Sequence, residues 1–99
     1  MDPMREFIVE ITTTIPDGTS QSEVDSLRAL EAVRAKELTA SGNLVRLWRP
    51  IGEMRSIGLW QADDEDDLHA NVLGTLPLSP WMAFHVTAVQ PHPNDPGRS

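Results

Sequence analysis

Residues Leu44–Gln61 read LVRLWRPIGEMRSIGLWQ, and this stretch decides the fold. Leu44–Arg49 has the composition of a strand, Pro50-Ile51-Gly52-Glu53 carries turn chemistry, and Met54–Gln61 resumes as a second strand. Two strands joined by so short a connection pair antiparallel. With the turn centred between Ile51 and Gly52, Arg49 opposes Met54 and Leu47 opposes Ser56. Period-two alternation then places these four on one face, and Leu44, Arg46, Trp48, Arg55, Ile57 and Leu59 on the other.

Upstream of the hairpin, the chain from Thr19 to Gly42 contains neither proline nor glycine between its ends, long enough for a helix of about five turns. Residues Thr19 to Ser22 offer several N-caps, and Gly42 is the stop. Steps of about 100° put Val24, Leu27, Ala35 and Leu38 on one face with Leu30 at its margin. Glu31 falls near the middle of that apolar face. Before the helix, Phe7–Ile15 is rich in β-branched residues and ends at the turn Pro16-Asp17-Gly18, which makes it a first strand. Met1-Asp2-Pro3 precedes a second methionine and is read as an extension outside the fold.

Downstream, Asp63–Asp67 is an acidic run suited to a helix start, with Leu68, Val72 and Leu76 following at helical spacing. This short helix should end near Gly74 to Pro77, because Leu76-Pro77-Leu78-Ser79-Pro80 restricts the chain to a rigid connector. Trp81–Val89 is the last strand. The order β-α-β-β-α-β defines a single α+β domain over residues 1–99: a ferredoxin-like four-stranded antiparallel sheet with both helices on one face. The strands are apolar on both faces, so the uncovered face is expected to meet the sheet of a second subunit, as in a dimeric α+β barrel. By composition Pro91–Ser99 is a tail, and a neighbouring subunit is the natural surface for it to lie on.

Composition narrows the function. Fifteen acids against 8 bases give a formal charge of −7, the opposite of what binding a phosphate backbone requires, so no nucleic-acid partner is expected. With no cysteine there is no disulfide, thiolate nucleophile or thiolate metal ligand. No apolar run approaches the roughly 20 residues of a membrane span, and no leader pattern opens the chain, which points to a cytoplasmic protein. A chain of 99 residues has little room for a deep private pocket, a second reason to expect self-association.

A carboxylate in the middle of a buried helix face must be protonated, paired with a cation or open to a cavity. Glu31 is therefore either half of a structural ion pair, with Arg34 or Arg49, or a base whose pKa desolvation raises into a useful range. Arg49, at a strand end on the face of Leu47, Met54 and Ser56, either braces the hairpin or holds a substrate carboxylate bidentately. Ser56 can donate one hydrogen bond. His69, His85 and His92 lack metal-ligand spacing, and neither a serine-hydrolase signature nor a phosphate-binding glycine loop is present.

Leu47-Trp48-Arg49, Gly52, Leu68-His69, Leu76-Pro77-Leu78-Ser79-Pro80 and His92-Pro93, taken in order with Glu31 on the first helix, resemble the muconolactone delta-isomerase family and the related chloromuconolactone dehalogenases. The resemblance spans nearly the whole chain. It implies a homo-oligomer of dimer units, typically a decamer, with sites shared between subunits. It also implies cofactor-free migration of a carbon-carbon double bond in an unsaturated lactone acid, within aromatic catabolism by the beta-ketoadipate route. Glu31 then matches the family's base or proton shuttle and Arg49 its carboxylate-binding arginine. Where the family usually carries a tyrosine this chain has Met54, and where it carries asparagine or histidine this chain has Ser56. Two further functions fit the same scaffold: a diverged non-catalytic acid-binding or assembly subunit, and a lactone dehalogenase.

Overall fold

The computed structural model describes residues 4–97; Met1–Pro3 and the last two residues of the tail lie outside the described residues. Strand β1 (Arg5–Thr13), helix α1 (Gln21–Ala40), strands β2 (Leu44–Trp48) and β3 (Ser56–Ala62), the one-turn helix α2 (Glu65–Asp67) and strand β4 (Met82–Val89) follow one another. The sheet is antiparallel in the order β2-β3-β1-β4, the ferredoxin-like arrangement expected from the sequence.

Helix α1 begins and ends on local chemistry. The Ser20 side chain accepts the Glu23 N–H at 3.2 Å, satisfying one of the free donors of the first turn. At the other end Gly42 takes φ +86°, the Asn43 N–H donates to the Leu38 carbonyl at 2.9 Å and the Gly42 N–H to the Thr39 carbonyl at 3.1 Å, the paired bonds of a Schellman stop. Val24 and Leu38 are buried and Leu27 and Ala35 half-buried, as their spacing predicts, whereas Leu30 is 56% exposed.

One face of the sheet carries the core: Phe7, Val9 and Ile11 from β1 and Trp60 and Ala62 from β3 pack with Leu38 and with Leu68, Val72, Leu73 and Leu76. No element among the described residues covers the other face. Ile57, Leu59 and Ile8 lie there half-buried, Trp48 is 43% exposed, and the Arg46 guanidinium stands 5.1 Å from the Trp48 ring centroid. Arg55 bridges this face to the hairpin, bonding Glu10 at 2.6 Å and Glu53 at 2.9 Å.

Four expectations about the sheet are corrected. The first strand runs Arg5–Thr13 rather than Phe7–Ile15, because Arg5 and Glu6 pair with Ala62 and Gln61, while β4 ends its ladder with β1 at Met82. The hairpin is two residues out of the expected register: Leu47 opposes Gly58 and Trp48 opposes Ile57. Only a residue without a side chain fits beneath Leu47, since a Cβ at position 58 would stand 3.2 Å from Leu47 Cδ1 and 2.3 Å from Trp60 Nε1. An even shift keeps every side chain on its face, so the grouping of Leu47, Arg49 and Ser56 survives. The connection widens to Arg49–Arg55, closed by the Glu53 N–H to Pro50 carbonyl bond at 3.1 Å with Gly52 at φ +83°, and Met54 leaves the strand. Leu44 is the exception to parity: a bulge between Leu44 and Arg46 turns it into the core.

The second helix is also less regular than its spacing suggests. After α2 the chain makes a π turn over Leu68–Val72 and a 3-10 turn over Leu73–Thr75, burying Leu68, Val72 and Leu73. Gly74 is required there, as a Cβ would meet the His69 carbonyl oxygen at 2.7 Å. A second 3-10 turn at Ser79–Trp81 delivers the chain to β4. No helix among the described residues is long and apolar enough to cross a membrane.

Candidate active site

A cleft of about 490 Å³ opens between α1, the end of β1, the β2–β3 hairpin and the Leu76–Met82 connector. Glu31, Arg49, Met54 and Ser56 all line it, and so does Arg28, which the sequence reading passed over. Ile15, Leu47, Leu78 and Met82 supply apolar wall. Arg28 precedes Glu31 by three residues and so shares its helix face, but that spacing alone does not separate it from an ordinary exposed helix arginine.

Glu31 is half-buried and its Oε1 accepts the Leu78 backbone N–H at 3.0 Å. Burial raises its pKa above the ordinary carboxylate value, and the Leu78 N–H opposes that shift only in part. The donor is held in place by the turns around it: the Leu76 N–H bonds the Leu73 carbonyl at 3.2 Å, the Ser79 N–H the Leu76 carbonyl at 2.9 Å and the Trp81 N–H the Leu78 carbonyl at 2.8 Å. Pro77 and Pro80 stiffen the same stretch.

The structural ion pair considered for Glu31 does not form. Arg34 turns instead to Glu37 at 3.1 Å and Thr75 Oγ1 at 3.0 Å, and Glu31 has no cationic partner among the described residues. Arg49 is exposed at the hairpin and likewise takes no carboxylate partner among the described residues, leaving its guanidinium available to a ligand. Met54 is 74% exposed at the cleft rim and Ser56 half-buried in its wall.

The histidines are dispersed. His69 stands 3.5 Å from Glu65 on the helical segment, His85 pairs across the open sheet face with Glu10, and His92 Nδ1 accepts the Asn94 N–H in the tail. No group of three or more His, Asp or Glu among the described residues is placed to hold a metal ion. A larger hollow of about 820 Å³ lies at the far end of the sheet, between Met4–Glu6, Gln61 and Ala88–Pro91. It lacks the convergence of a desolvated carboxylate with two guanidinium groups, and the smaller cleft is the site with chemical capacity. That cleft can abstract and return a proton at Glu31, hold an anion at its arginines, and exclude water along its apolar wall.

The chain matches known proteins across nearly its whole length. The family model described as muconolactone delta-isomerase matches residues 5–95. A muconolactone delta-isomerase of Cupriavidus pinatubonensis is 30% identical over 88 residues, covering 89% of this chain and 95% of that protein. One from Rhodococcus opacus is 29% identical over 92 residues, covering 93% and 98%. The crystal structure of a muconolactone isomerase superposes with a TM-score of 0.84 at 26% identity, covering 95% of this chain and 97% of that one. A family match across nearly the whole length, together with the same fold, places this chain in the muconolactone delta-isomerase family.

Proposed function

We propose that this chain is a cofactor-free isomerase that shifts a carbon-carbon double bond in an unsaturated five-membered lactone bearing a carboxymethyl group, with muconolactone the leading candidate. The observation that carries this is the desolvated Glu31 carboxylate, without a cationic partner among the described residues, in one cleft with Arg49. Glu31 takes the ring proton vinylogous to the lactone carbonyl, and the C–H electron pair becomes the new double bond. The former double-bond pair shifts toward the carbonyl carbon and the carbonyl π pair goes to oxygen, giving a dienolate. Glu31, now the carboxylic acid, returns the proton to the carbon beside the carbonyl, and the substrate is isomerised with nothing gained or lost.

Arg49 holds the substrate carboxylate, whose planar pair of oxygens suits a guanidinium fork. Ser56 donates a hydrogen bond from the wall, and Met54 closes the rim with an apolar contact where relatives are expected to place a phenol. The uncovered sheet face, with Trp48, Ile57 and Leu59, is the surface on which two copies meet, and the dimers assemble into a larger homo-oligomer. The setting proposed is the cytoplasm, in catabolism of aromatic compounds by the beta-ketoadipate route. The family match and the shared fold favour this over a non-catalytic assembly role or dehalogenation.

The test is a panel of muconolactone, its methyl and chloro derivatives and simple butenolides, followed by ultraviolet absorbance. Double-bond migration in a carboxymethyl butenolide supports the proposal. No turnover of any member, or halide release without isomerisation, sinks it.

A further inference from the structure

The cleft contains a second guanidinium that the mechanism above does not use. Arg28 lies one helical turn before Glu31 on α1 and lines the same cleft as Arg49. Arg34 and Arg55 are tied to glutamates and Arg46 to the Trp48 ring, but Arg28 has neither an ion pair nor a side-chain hydrogen bond among the described residues. In a chain of charge −7, two such arginines, one from a helix and one from a strand end, face a cleft whose one acid among the described residues is Glu31. That imbalance suits a ligand with two electron-rich ends.

The proposed substrate has two. Its carboxylate is charged throughout, whereas its lactone carbonyl oxygen becomes negative only in the dienolate. With no tyrosine in the chain, the remaining side-chain donors on the cleft wall among the described residues are the hydroxyls of Thr13 and Ser56, both neutral. Glu31 takes the proton from the ring carbon that bears the carboxymethyl arm and returns it to the carbon beside the carbonyl, so it faces the ring edge between them, and the arm and the carbonyl oxygen project to opposite sides. With the arm held by Arg49 on the hairpin, Arg28 on the helix is the guanidinium left for the carbonyl oxygen.

Resting on the isomerase reading above, we infer that Arg28 is the group that takes up the negative charge on the lactone carbonyl oxygen. Its guanidinium stays protonated throughout, donating hydrogen bonds to the oxygen as the carbonyl π pair localises there and releasing them as the pair returns on reprotonation. Because this charge exists only during reaction, Arg28 acts on kcat, whereas Arg49 acts on substrate affinity.

Two measurements on the assembled, full-length protein test this. In steady-state turnover, Arg28→Gln lowers kcat by about 100-fold or more while KM stays within about threefold, Arg28→Lys recovers part of the loss, and Arg49→Gln raises KM. The second needs no turnover: binding of a hydroxynitrophenylacetate, whose phenolate imitates the dienolate oxygen and absorbs visible light. Bound to the parent protein its phenol ionises at lower pH than in water. Arg28→Gln abolishes that shift while leaving affinity for plain phenylacetate unchanged. A KM effect without a kcat effect, no kinetic effect, or an unchanged phenol ionisation in Arg28→Gln overturns the role. If the parent protein turns over no butenolide, the isomerase reading fails, and the probe titration alone decides whether Arg28 is an oxyanion-binding group.

Discussion

The Leu78 backbone N–H donates to Glu31 Oε1 at 3.0 Å, joining the long helix to the proline-rich connector 47 residues away. This bond fixes one carboxylate oxygen and leaves the other for chemistry. It also explains why an acid tolerates the helix face directed at the core: it is only half-buried and one lone pair is satisfied.

Glu31→Gln is expected to remove isomerisation, a loss of about 100-fold to 10,000-fold for a proton-transferring group, without unfolding the chain. The amide oxygen can still accept the Leu78 N–H, so thermal melting by circular dichroism should match or exceed the parent at neutral pH. A variant that melts far below the parent would mean that Glu31 is there for stability.

Acidification should slow catalysis at a pH above the ordinary carboxylate range. Burial raises the Glu31 pKa, and the base works only when ionised, so kcat/KM falls as pH drops through that raised value. Stability runs the other way. The folded state binds the Glu31 proton more tightly than the unfolded chain, so this contribution is fully present below the ordinary carboxylate pKa and lost as pH rises through the raised one. Subtracting the Glu31→Gln melting profile from that of the parent across mildly acidic pH should isolate this slope, and an opposite sign would contradict the assignment.

Gly58→Ala should destabilise the protein by about 1–3 kcal/mol, because its new methyl meets the buried Trp60 indole and Leu47 from the paired strand. Leu47 also lines the cleft, so KM should rise with the loss in melting temperature. Unchanged melting would show that Trp60 moves aside freely.

Much of this architecture is legible in the sequence because its signals are local. Ser20 and Gly42 bracket α1, and the β-branched run before Pro16 marks β1. The hairpin register was not legible: Leu47 pairs across the strands with Gly58, where it and the Trp60 indole crowd the space a side chain would need, a contact that period-two counting cannot see. The bulge that turns Leu44 inward and the π turn at Leu68–Val72 are likewise tertiary adjustments that fill the core. At the site, Glu31 stands out because a carboxylate interrupts an apolar face. Arg28 does not, since an exposed helix arginine is ordinary until the connector and hairpin enclose it.

Trp48→Asp on the open face should dissociate the assembly by placing a charge where a second sheet is proposed to pack. Sedimentation of the variant is expected to give a smaller species than the parent. A parent that sediments as a monomer would remove the basis for that surface.

The most direct test of Glu31 as the proton-transferring group is the rate of ultraviolet-detected double-bond migration in muconolactone, or in the best butenolide found, for the parent and for folded Glu31→Gln side by side. The parent is predicted to isomerise the lactone and the variant to fall to the uncatalysed background. Migration at the parent's rate in Glu31→Gln would contradict the account.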